Sequence, residues 1–215
     1  MKIYLYRLNT HAMSPVMGTL LMLLLLVLLS AIVMAGLYGD HLAGKSELTF
    51  TPAPLAIIEI EDIEGGIPND VRYRENYIRL VHVNGDSLDL DSTFIVLEGQ
   101  GSSYIGKVGA GGEKVTGHLV VRYHDLTPDG SISDYKNRNP AIEDQKWSTG
   151  EMLILNGDDS INGTDASSVT VTVNGLKNTS NNYGFIQGTT VTVKVFDSRT
   201  QRIIAEDSAV VSPPG

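Results

Sequence analysis

The stretch Asp125-Leu-Thr-Pro-Asp129-Gly130-Ser131-Ile132-Ser133-Asp134 has the spacing of the front half of a calcium-binding loop. Oxygen-bearing side chains fall at its first, third, fifth and ninth positions: Asp125, Thr127, Asp129 and Ser133. Gly130 stands sixth, where such a loop turns sharply, and Ile132 stands eighth. Calcium is a hard cation that takes its ligands from oxygen. The twelfth position, where the loop needs a bidentate carboxylate, is Lys136. An Asp/Gly/Ser-rich surface loop accounts for the same residues, and no metal is assigned.

Histidine offers a second possible chemistry. If 119–123 is a strand, His118 and His124 share a face with Val120 and Arg122. Six residues of extended chain separate the two rings by roughly 20 Å, too far to chelate one ion. A metal site there would need His82 or distant carboxylates. Trp147, the single tryptophan, reads as a core or turn-packing residue. No Ser-His-Asp arrangement, nucleophile elbow, zinc-binding helix or phosphate loop is present, so the sequence suggests neither an enzyme nor a cofactor. Asn162-Gly163-Thr164 and Asn178-Thr179-Ser180 have the form of N-glycosylation acceptors in Asn/Ser-rich, loop-like stretches.

Composition limits the classes these residues can serve. All 25 acidic residues lie at Asp40 or later, and only Lys2 and Arg7 of the 16 basic residues come earlier. The chain after residue 39 therefore sets 14 basic against 25 acidic residues, a surface that repels nucleic-acid phosphates. With no cysteine, neither a disulfide framework nor a thiolate metal site can form.

The elements that must carry this surface begin with an apolar run. From Met13 to Gly39 there is no charged side chain, and Val16–Leu37 is almost wholly apolar. As a helix, twenty-odd residues span roughly 33 Å, about the thickness of a bilayer core. Lys2 and Arg7 precede the run while Asp40 and Glu47 follow it, which places the N-terminus inside and the rest outside. Ser14 is a natural N-cap for this helix, and Pro15 is tolerated in its first turn. Three fates fit: an uncleaved anchor, a secretory signal cut ahead of Gly36, or a short leader removed with the helix retained.

The residues His11-Ala12-Met13-Ser14-Pro15-Val16-Met17-Gly18, directly before Leu20–Leu29, resemble the N-terminal domain of archaeal type IV pilins. That family carries a Ser-Pro-Val-Ile-Gly-like element at the head of its apolar helix. Ser14, Pro15, Val16 and Gly18 match it, and Met17 stands where Ile is usual. The resemblance implies that a prepilin peptidase cuts between Ala12 and Met13, although His11 replaces the customary Lys or Arg. It also implies a subunit held in the membrane by its helix, then packed with copies of itself or other pilins in a cell-surface filament. A monomeric membrane-anchored surface-binding module is the alternative from another class.

The expected organisation is thus a leader over 1–12, a membrane or assembly helix over 13–39, a linker over 40–54 and an exterior domain over 55–215. Gly36, Gly39 and Gly44 are read as ending the helix, with Pro52 and Pro54 in the linker. Beyond it the hydrophobic period changes. Short apolar or alternating runs occur at 55–60, 77–83, 93–97, 119–123, 152–155, 169–173, 191–196, 203–204 and 209–211. Their Val, Ile, Thr and Tyr content, and the Gly/Asn/Asp/Pro clusters between them, predict an all-β, Ig-like antiparallel β-sandwich. The turns at Leu80–Leu88 and Trp147–Ile154 resemble those of pilin exteriors, whereas Asp125–Lys146 reads as an insertion.

Overall fold

A computed structural model describes residues 15–43, 52–67, 71–106, 111–127, 133–159 and 168–215. The chain divides into two units between Thr51 and Pro52. The first contains helix α1, Pro15–Ala43, whose 29 residues run past Gly36 and Gly39 without a break. Its side chains are described over Met17–Ala31, and all are exposed. The one hydroxyl flanked by leucines and alanine, that of Ser30, donates to the Val27 carbonyl at 2.9 Å, so the helix itself absorbs that polar group. Among the described residues, no helix is long and apolar enough to cross a membrane. Fifteen positions from Met17 to Ala31 rise only about 22 Å.

The second unit is mostly β-sheet, as its alternating sequence requires. Strands β1 (Ala56–Glu64), β2 (Tyr77–Gly85) and β7 (Met152–Asn156) form one antiparallel sheet in the order β1-β2-β7. The larger sheet has the order β11-β10-β4-β5-β8, built from β4 (Thr93–Ile105), β5 (Glu113–Tyr123), β8 (Val169–Val173), β10 (Thr190–Asp197) and β11 (Arg202–Val210). A two-residue strand β9 (Gly184–Phe185) pairs with β4, and β3 (Leu88–Asp89) pairs with β6 (Lys146–Trp147). The runs at 203–204 and 209–211 belong to one strand, β11, apart from Val211 just beyond it.

Alternation decides which side chains enter the core. In β8 the three valines are buried while Thr170 is exposed, and in β10 Val191, Val193 and Val195 are buried. Ile78, Leu80, Leu153 and Leu155 of the smaller sheet join Ile95, Leu97, Leu119 and Val121 of the larger one in a single hydrophobic cluster. Antiparallel sheets sharing one core are consistent with a β-sandwich. The C-terminal segment links them: Ser212 donates to the Ile63 carbonyl at 2.8 Å and accepts from Gly65 at 3.0 Å.

Glycine serves a specific purpose at Gly101. A Cβ there would collide with the Gly184 carbonyl and a Leu119 methyl, so β9 can approach β4 only because no side chain intervenes. The stretch after Asp125 contains a short helix α2 (Ser133–Arg138) followed by a 3-10 turn at Pro140–Ile142. Tyr135 and Ile142 anchor this excursion in the core.

Candidate functional site

Ala12, Met13 and Ser14, the expected cleavage residues and the start of the helix element, lie outside the described residues, as does Asn162. Pro15 and Val16 have helical backbone, and Gly18 is within the same helix with open space around it. Asn178 is exposed between β8 and β9, while Ser180, two positions on, is buried and hydrogen-bonded to Ser103 at 3.0 Å.

Of the loop with calcium-like spacing, Pro128 to Ile132 fall outside the described residues. The Asp125 carboxylate closes its own turn: Oδ1 accepts from the Thr127 amide at 2.8 Å and the Thr127 hydroxyl at 2.6 Å. Lys136 is exposed on α2. His118 and His124 are both exposed, and His124 Nε2 lies 2.8 Å from the Thr170 hydroxyl. His82 is fully buried beside Trp147, far from their solvent-facing role. Its Nδ1 lies 3.0 Å from the Trp147 carbonyl, which can only accept, so that nitrogen carries the proton. Trp147 is itself fully buried and donates to the Glu151 carbonyl at 3.1 Å. Among the described residues, no group of three or more His, Cys, Asp or Glu could hold a metal ion.

The structure assembles a different cluster, centred on Asp159, which is only 5% exposed. The turn after β7 places it: the Asp159 amide donates to the Asn156 carbonyl at 3.0 Å, and the Asn156 amide donates back to Asp159 Oδ2 at 2.6 Å. Tyr123, at the end of β5, has its hydroxyl 2.9 Å from the same oxygen and 2.7 Å from the Tyr183 hydroxyl. Arg138, the last residue of α2, donates from Nη2 to Asp159 Oδ1. Burial pushes the Asp159 carboxyl up to about 6, against the opposing pull of Arg138 and the amide and hydroxyl donors. Burial likewise pushes both tyrosine hydroxyls well above their ordinary value, and the nearby Asp159 charge adds to this.

Outside this cluster lies a concavity of about 480 Å³ lined by Arg74, Tyr77, Arg79, Arg138, Ile154, Asn156 and Asp158. The β2–β7 register sets Tyr77 opposite Asn156 and Arg79 opposite Ile154, so these four positions share one face. Arg79 lies 4.6 Å over the Tyr77 ring and donates to Asp62 of β1 at 2.8 Å. Burial and the neighbouring Glu64 push the Asp62 carboxyl up, while the Tyr77 hydroxyl and the Gly215 amide hold Glu64 down. Asn156 steadies the rim by donating to the Arg74 carbonyl at 2.9 Å.

Sequence reading missed this site. Arg72-Tyr-Arg74-Glu-Asn-Tyr77-Ile-Arg79 is a local basic and aromatic run in an acidic chain, and that contrast could have drawn attention to it. Nothing local marks Tyr123, Arg138, Asp159 and Tyr183, which only the strand order brings together. The chain matches no protein-family model and no curated protein.

Proposed function

We propose that the chain is an archaeal type IV pilin-like subunit. Its leader would be cut between Ala12 and Met13, and its N-terminal helix would first sit in the membrane and then pack with copies of itself in a cell-surface filament. The β-unit would be the exterior, an Ig-like sandwich whose surface determines adhesion.

One observation carries this reading. Every described side chain of α1 from Met17 to Ala31 is exposed, with Met22 at 71% and Leu29 at 53%, and almost all are apolar. A helix apolar on all faces needs an apolar surround, which lipid or neighbouring helices can supply. The uncharged sequence of Met13–Gly39 supports a membrane stage before assembly. Head-to-tail contacts that do not close would then extend the filament. Shearing intact cells tests this: the account expects long polymers of the protein in the sheared fraction. Release only as monomers, and only by detergent, would favour a membrane-anchored module.

A further inference from the structure

We propose that the concavity bounded by β2, β7 and the end of α2 binds a carboxylated sugar. The proposal does not depend on filament assembly, since every residue in it belongs to the β-unit.

The volume of about 480 Å³ falls within the roughly 300–1,000 Å³ of small-molecule clefts. Its lining joins three guanidinium groups to an aromatic ring, an aliphatic side chain and the Asp158 carboxylate. Arg74 is exposed, and no carboxylate among the described residues lies within ion-pair reach of it. Arg138 keeps donors beyond the one spent on Asp159. Planar guanidinium forks match carboxylate geometry.

The remaining groups narrow the ligand further. Asp62 already pairs with Arg79 and Asp159 with Arg138, so the cleft does not carry three uncompensated charges. A dianion such as phosphate gains little from a site with so many neighbouring carboxylates. A monoanion bearing hydroxyls fits better. Its carboxylate would face Arg74 and Arg138, its hydroxyls could donate to Asp158, and its ring carbons could lie on Tyr77 and Ile154. Sugars of the uronic-acid type have this combination.

Titration calorimetry on the full-length chain in detergent micelles, with the monoanion galacturonate as the probe, tests the assignment. The expected result is saturable binding, with neutral galactose at least about tenfold weaker because the charged hydrogen bonds are lost. Arg74→Gln should weaken galacturonate by about tenfold or more while leaving the melting curve unchanged, since its side chain is exposed. No binding, equal affinity for galactose, or an unaffected Arg74→Gln variant would overturn the proposal. Inorganic phosphate competing as tightly as galacturonate would overturn the sugar assignment.

Discussion

Arg138 reaches from the last turn of α2 to Asp159, so a side chain at the rim of a cleft balances a carboxylate almost wholly removed from water. Removing one partner of such a pair leaves the other charge uncompensated. Arg138→Gln is therefore expected to cost about 3–5 kcal/mol in denaturant unfolding. Combining it with Asp159→Asn should recover part of that loss, because the stranded charge is gone. A double variant no more stable than Arg138→Gln alone would show that the pair is not coupled.

Acidity should act on the same carboxylate with a definite sign. The folded-state value of about 6 lies above the roughly 3.9 of an unfolded aspartate, so the native state binds this proton more readily. The stabilisation is full below about pH 4 and disappears as pH rises to about 6, a change on the order of 3 kcal/mol. Asp197 and Glu64, held down by hydrogen bonds, act in the opposite sense and at lower pH. Subtracting the stability profile of Asp159→Asn from that of the wild type isolates the effect. The difference should fall between pH 4 and 6, and a rising difference would reverse the assignment.

The junction of β4 and β9 offers a test of packing rather than charge. Gly101→Ala places a methyl group against the Gly184 carbonyl, a backbone atom that cannot rotate away. Overpacking of this kind costs about 1–3 kcal/mol. Hydrogen exchange should show the loss first at Phe185 and Ser102, the neighbours in that pairing. A variant as stable as the parent would mean that β9 is not held against β4.

The strands were legible wherever one face is buried, because alternation records burial directly. Val169–Val173 and Val191–Phe196 show this, and both form strands at nearly those bounds. What the sequence did not disclose is order. Nothing local says that β10 lies between β11 and β4, since pairing depends on long-range packing. Two-residue strands such as β3 and β6 are too short to show a period. The glycines at 36 and 39 suggested a stop, yet an isolated glycine costs a helix only about 1 kcal/mol and the apolar run continues it to Ala43. The cleft was the least legible part: its arginines come from three separate elements, and their partners Asp62 and Asp159 from two more.

The boundary between Thr51 and Pro52 predicts a division of solubility. A chain beginning at Pro52 should be monomeric without detergent and melt cooperatively, because the shared core of both sheets is retained. The full chain should need detergent, given its exposed leucines. Sedimentation of the two forms checks this, and a truncated chain that aggregates would show that the β-unit depends on what precedes it.

The most direct measurement of the account is the mature N-terminus, read by mass spectrometry of protein taken from the native cell envelope. The pilin-like reading predicts a chain that begins at Met13, with Ala12 removed and the whole apolar helix retained. A chain beginning at Gly36 would contradict it by removing the assembly helix, and an intact Met1 would leave a membrane-anchored surface protein instead.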